Sequence, residues 1–440
     1  MKGKIIFHKL PIFLIILLML FFSGCAETLT PESARRKLEK KKIPYSEEVF
    51  IHAVEKDNLE VVNLFLTAGM NPNVKRKDNR SAFLFAVLFC KTEIIKAMME
   101  KGADVNDNSY FGNTPLIFAI SRDRSRRDGE EIIKLFLEKG ADVNRIGNRV
   151  TPLREATSDR IEIMKLLIEK GADVNLGGKG LTPPLYVAIE SNDLEKVKLL
   201  VDHGADVNFG KDEKEGVPPL TVATGFWGRQ DVTKLLLEKG ADVNVRDQYG
   251  RNALMRAASR GETEIIQALL DKGAEVNVKD YQGNTALNEA ARKNKIPIMQ
   301  LLLDRGAVAD GKTVIVAAII GHAEVVKFLL GKGVLTNMAS EDAKNAILFA
   351  AANGNTSVVQ VLLDRGVNVN TRGADGDTPL MRAVIKEHEG AVRVLLARGA
   401  DVHVEAKDGA TALDWAKKKN NDEIVQMLKN AGAIDRKGRK

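Results

Sequence analysis

Two kinds of apolar pattern run along the chain. One is a single block near the start: Leu10 to Phe22 is apolar over thirteen residues, with Lys2, Lys4 and Lys9 before it and Ser23-Gly24-Cys25 after it. The other begins near residue 45 and recurs almost to the C-terminal end. Short apolar stretches come in pairs, and the second of each pair has helical spacing, as in Ile265, Ile266, Leu269 and Leu270. Such spacing puts apolar side chains on one face of a short helix. The pattern therefore predicts pairs of short helices separated by polar turns.

Fixed markers set the period of these pairs. Gly-Ala-Asp-Val-Asn stands at 102–106, 140–144, 171–175, 204–208 and 240–244, with variants at 273–277 and 399–403 and weaker copies from Gly69, Gly306, Gly333, Gly366 and Gly432. Most marker glycines are 33 residues apart. Glycine there ends the second helix, because it takes a left-handed cap without a Cβ penalty. A second marker, Thr-Pro-Leu, lies at 114–116, 151–153 and 378–380, with Thr285-Ala286-Leu287 and Thr411-Ala412-Leu413 as relatives. Threonine caps the first helix, and proline fits its first turn, where a missing N–H costs nothing. Ala119, Ala156, Ala290 and Ala383 follow on that helix and are expected to face the neighbouring pair. Asp247 to Gly250 and Asp280 to Gly283 mark β-turns between units.

A 33-residue period of two helices resembles the ankyrin repeat. The resemblance covers residues 45–434 and implies an all-α ankyrin-repeat solenoid of about twelve helix-turn-helix repeats with short β-turn fingers. The histidine that usually follows Thr-Pro-Leu is missing: Arg154, Asn288, Met381 and Asp414 stand there. That departure predicts a stack held somewhat less rigidly. Longer spacings at Gly102–Gly140 and Gly204–Gly240 place insertions at 122–127 and 211–215, while the short spacing at Gly306–Gly333 nearly deletes one finger.

The N-terminal block has the order of a secretory signal, a basic stretch followed by a short apolar one. Thirteen apolar residues are short for a membrane span, which takes about 20. Ser23-Gly24-Cys25 resembles the lipobox of bacterial lipoproteins, although Phe22 stands where leucine is preferred. The resemblance implies a signal peptide over 1–24, lipid on Cys25 and a lipidated tether over 25–44; an uncleaved anchor is the competing reading. Ala26, where an aspartate would direct retention at the inner membrane, points to the periplasmic side of a Gram-negative outer membrane. Within the tether, Thr30-Pro31-Glu32 reads as a helix start, and the cations from Arg35 to Lys42 suit either a helix on anionic lipid or a solvated spacer. Residues 435–440 form a basic tail.

Composition narrows the function. The formal net charge is +7, and near +4 without the first three lysines, too weak a balance to argue for nucleic acid. Cys25 and Cys90 cannot build a disulfide framework or a zinc site, and Cys90 reads as a small buried apolar residue on a first helix. The six histidines lack metal-ligand spacing. Residues 306–313 (Gly-Ala-Val-Ala-Asp-Gly-Lys-Thr) match the phosphate-loop pattern, but a second repeat helix precedes them where a strand is required. Asp-Val-Asn recurs as turn chemistry rather than as a calcium site.

The expectation is a non-catalytic, cofactor-free monomer that binds a protein partner through its concave face and a membrane through Cys25, with a nucleotide-binding or enzymatic protein using 306–313 as the alternative. Finger and inner-helix positions nominate Tyr110, Phe111, Phe226, Trp227, Tyr249, Arg251, Arg260, Tyr281, Arg292 and Lys293 for the partner. Tyrosine, tryptophan and arginine carry most interface hot spots, and aromatics make up only 5% of this chain.

Overall fold

The computed structural model describes residues 29–108, 110–122, 127–158, 160–177, 180–210, 217–225 and 229–435. These residues form 25 helices and no strands; two isolated β-bridges, Lys75–Ser81 and Tyr110–Asn113, mark fingers. The chain divides into two compact units, Met1–Pro184 and Leu185–Lys440.

The first unit opens with a helix over Pro31–Lys40 and continues with four helix pairs: Glu47–Glu55 and Leu59–Thr67, Ala82–Leu88 and Thr92–Glu100, Pro115–Arg122 and Arg127–Glu138, Pro152–Thr157 and Ile161–Glu169. The opening helix starts as its sequence predicts, with the Ser33 amide donating to Thr30 Oγ1 at 3.2 Å. It nevertheless packs into the stack, within the span 25–44 expected to be a lipidated tether. Ala34 and Leu38 are fully buried, and the helix packs on Leu59–Thr67. Arg35 lies 4.7 Å over the Tyr45 ring, and Tyr45 stacks on Phe65 and donates to Ala68 O.

The second unit holds eight pairs. Their first helices are Pro184–Glu190, Pro219–Ala223, Ala253–Arg260, Ala286–Arg292, Gly311–Ile320, Glu341–Ala352, Pro379–Ile385 and Ala412–Lys418. Their second helices are Leu194–Asp202, Gln230–Glu238, Thr263–Asp271, Ile296–Asp304, Ala323–Gly331, Thr356–Asp364, Glu389–Ala397 and Asp422–Asn430. Alanine pairs at one register, such as Ala257-Ala258, Ala290-Ala291, Ala317-Ala318 and Ala350-Ala351, are fully buried. Their small volume lets successive first helices approach closely. Second helices contribute the larger apolar groups, for example Ile265, Ile266 and Leu269, each worth about 1.5–3 kcal/mol when removed from water.

Every one of the twelve pairs ends in its marker glycine at positive φ, between 82° at Gly333 and 98° at Gly432. A Cβ at any of these glycines would meet nothing within 4 Å, so backbone conformation, not space, requires glycine. Residues just beyond the glycine join the repeats. Asn106 Nδ2 donates to Gly140 O at 3.1 Å while Asn106 Oδ1 accepts from the Asp142 amide at 2.8 Å. Asn73, Asn144, Asn208, Asn244 and Asn277 make the same two bonds to the following repeat. The aspartate of the motif does cap the local backbone, as Asp104 does for the Asn106 amide, but the asparagine is a rung between repeats. Between Val308 and Asn370 no such rung forms: Asp310 caps the next helix and Asn337 accepts locally from the Ala339 amide.

Two sequence expectations change here. Cys90 is not buried on a helix; it is partly exposed in the loop after Ala82–Leu88, at φ 53°. Asn288, in place of the usual histidine, closes a capping box with Thr285 and donates through Nδ2 to Thr313 Oγ1 of the next repeat at 3.0 Å. A neutral amide thus supplies part of the link the histidine would have made.

Candidate functional site

The finger before Ala253–Arg260 is built around Asp247, which is almost fully buried. Its Oδ1 accepts from the Tyr249 and Arg251 amides, both at 2.9 Å, and its Oδ2 accepts from Arg251 Nε at 3.2 Å and Arg256 Nη2 at 2.6 Å. Burial pushes the Asp247 carboxyl up, but the bonds from Arg251, Arg256 and Tyr249 outweigh it and hold the group below its ordinary value. A charged Asp247 therefore fixes two guanidinium groups on the first-helix side.

Around this finger the structure collects six of the ten nominated partner residues. One groove of ≈ 530 Å³ is lined by Tyr249, Arg251, Asp280, Tyr281, Glu289 and Arg292 among others. It shares Arg251 and Glu289 with a narrower groove that includes Arg256, Ser259 and Arg260. That one shares Ser259 and Arg260 with a third, which Lys293 and Lys295 complete. The three form one strip down the first-helix face.

Tyr249 and Tyr281 are the most exposed rings in the strip, at 56% and 76%. Arg251 lies 4.7 Å over the Tyr249 ring and Arg246 5.8 Å over that of Tyr281. The Tyr281 amide donates to Tyr249 O at 3.1 Å, and its ring packs against Gly250, where a Cβ would come within 2.8 Å. Each tyrosine thus braces the finger and presents a ring face to solvent. Arg260 is more committed than its sequence position suggests. Its Nη2 donates to Gly225 O, and burial pushes its guanidinium below the ordinary value. Arg292 lies 3.4 Å from Glu289, whereas Lys293 is exposed.

Other nominated residues fall elsewhere. Tyr110 and Phe111 belong to the first unit, where Arg80 covers the Tyr110 ring at 5.2 Å and Phe111 is 74% exposed at φ 53°. Cys25, Phe226 and Trp227 lie outside the described residues. Asp247, Arg256 and Lys295 were not nominated. Their signal was available, since Asp247 opens an Asp-x-x-Gly turn and Arg256 lies one helical turn before Arg260.

The phosphate-loop match does not build a phosphate cradle. Gly306 ends the Ile296–Asp304 helix, and no strand precedes it. At the start of the following helix the Asp310 carboxylate already takes one of the free amides, its Oδ1 accepting from the Thr313 amide at 3.1 Å. Thr313 is fully buried and bonded to Asn288 and Asp310, and Lys312 Nζ donates to Gln282 O at 2.6 Å. Among the described residues no cluster of three His, Cys, Asp or Glu side chains is arranged for a metal.

Comparison with known families matches these residues to ankyrin repeats in three copies over 50–146, 177–247, 228–313, 314–406 and 374–439, and to a single ankyrin repeat over 148–179. No curated protein matches the chain at a significant level.

Proposed function

The chain belongs to the ankyrin-repeat family, and from that premise we propose that it is a non-catalytic scaffold that binds a protein partner through the Tyr249–Lys295 strip. The observation that supports this reading most is the grouping of Tyr249, Tyr281, Arg251, Arg256, Arg292 and Lys293 along one strip of adjoining grooves. Aromatic and arginine side chains held in place by their own scaffold lose little entropy on binding and dominate interface energies. Lipid on Cys25 would tether the scaffold to a bacterial envelope membrane, an address suggested by Lys2, Lys4, Lys9, the Leu10–Phe22 block and Ser23-Gly24-Cys25.

Tyr249→Ala combined with Arg292→Ala tests the strip. With the full chain as bait on envelope extract, the double variant should lose the partner that the wild type retains, a cost of about 2 kcal/mol or more for hot-spot residues. Its melting temperature should stay close to wild type. Undiminished capture would show that the partner docks elsewhere.

A further inference from the structure

In four successive repeats of the second unit, one left-handed residue separates the first helix from the second: Gly261 at φ 81°, Asn294 at 56°, Gly321 at 97° and Gly354 at 69°. Counting back from it gives a common register for the first-helix face. The residues directly before it are Arg260, Lys293, Ile320 and Asn353. Two before stand Ser259, Arg292, Ile319 and Ala352, and five before stand Arg256, Glu289, Val316 and Phe349. That Ser259, Arg260 and Lys293 line one groove places this register on one surface.

Read along the stack, the surface changes character once over these four repeats. The first two present cations, with Glu289 the one carboxylate in those rows and itself paired with Arg292. Arg256 Nε and Arg292 Nε are buried without a hydrogen bond, although Glu289 lies 3.4 Å from the latter. The next two present Ile319, Ile320 and Phe349, exposed at 39%, 40% and 36%. Their helices, Gly311–Ile320 and Glu341–Ala352, pack directly on one another. Singly exposed apolar residues need no explanation, but Ile319, Ile320 and Phe349 are exposed together on adjoining helices.

We infer that this face takes an extended acidic peptide whose carboxylates lie over Arg256, Arg292 and Lys293 and whose apolar anchor, about six residues away, covers Ile319, Ile320 and Phe349. The inference rests on the protein-binding reading above and narrows it. Neighbouring helices pack about 10 Å apart, so two repeats separate the charge centre from the apolar centre by about 20 Å. An extended chain advances about 3.3 Å per residue, which sets the spacing near six. A nucleic-acid strand fits less well, because its evenly spaced phosphates would continue over Ile319 and Ile320, a repeat with no cation in these rows.

The test uses the full chain in detergent and dye-labelled synthetic peptides followed by fluorescence anisotropy. One peptide carries four glutamates and a Leu-Phe anchor six residues on; a second moves the anchor to three residues; a third replaces glutamate by lysine. The first should bind at least tenfold tighter than the others. Lys293→Glu and Ile320→Ser, both at exposed positions, should each weaken it at least tenfold while melting stays unchanged. Equal binding of the first two peptides, or of an oligothymidylate of matched charge, would overturn the assignment. So would failure of every peptide. The Tyr249→Ala, Arg292→Ala capture experiment then separates the two readings: if it still abolishes partner retention, protein binding stands without this register, and if it does not, both fall.

Discussion

Glu262 occupies the position directly after the left-handed residue, where the stack favours a donor. In later repeats that position holds His322, Asn355 and His388. His322 Nε2 lies 3.0 Å from Arg292 O, Asn355 Nδ2 donates to Ala318 O and Ile319 O at 2.8 Å, and His388 Nε2 lies 3.1 Å from Ala352 O. These carbonyls are the unsatisfied ends of the preceding first helices. An ionised carboxylate has no proton to give, and burial pushes Glu262 above its ordinary value. A raised folded pKa means that the residue's favourable contribution is complete below the unfolded value, about 4.3, and is lost as pH rises through the folded one. Glu262→Gln, which keeps the shape and adds a donor, should therefore raise the melting temperature at pH 7 and lose that advantage near pH 4. Paired melts at the two pH values decide it; a wild type at least as stable at pH 7 would refute the account. From the sequence alone Glu262 reads as an ordinary loop glutamate, because nothing in its local pattern signals burial.

At the scale of the repeat, the interface between Gly311–Ile320 and Glu341–Ala352 is unlike its neighbours. The finger is shortened and the asparagine rung is missing, so the two first helices carry the contact. They approach closely enough that a Cβ on Gly311 would lie 2.0 Å from Asp342 Oδ2 and 2.4 Å from its Cβ. On helix propensity alone, glycine to alanine should stabilise by up to about 1 kcal/mol. The overlap reverses that sign. Gly311→Ala should destabilise by about 1 kcal/mol or more, read from the urea midpoint, whereas a stabilised variant would show that the interface has room. The short Gly306–Gly333 spacing announced the deleted finger. It did not announce the compensation, which depends on how near two helices come when nothing between them sets the distance. The rungs were hidden for a related reason: Asp-Val-Asn reads as local turn chemistry, and only the stacked backbone shows that the asparagine reaches one repeat further on.

For the molecule as a whole, twelve pairs were legible because each one carries its own glycine stop, and all twelve glycines adopt the left-handed conformation. Tyr249, Arg251, Tyr281, Arg292 and Lys293 were legible because exposed finger and helix-end positions recur at a fixed offset from those stops. The opening helix was harder to place. With only Ala34 and Leu38 to bury, its sequence looks solvated until a neighbour is present. Among the described residues no helix is long and apolar enough to cross a membrane. The proposed lipid anchor is tested at Cys25. Cys25→Ala should abolish incorporation of a radioactive fatty acid and move the chain from the membrane to the soluble fraction or leave it unprocessed. Equal label in the two proteins would contradict the lipid anchor.

The rungs have a consequence for inheritance. Asn106, Asn144, Asn208, Asn244 and Asn277 each join the next repeat with the same two atoms, so adjoining blocks of the gene are interchangeable at their seams. Duplicating or losing one block would leave a foldable protein but displace everything downstream on the binding face by about 10 Å. A ligand matched to the old spacing would then meet the wrong residues, as a frameshift garbles a message without shortening it. The seam between Gly311–Ile320 and Glu341–Ala352 has no such common joint. Recombination there would have to carry both helices together, which keeps Ile320 and Phe349 on adjoining helices through rearrangements that scatter their neighbours.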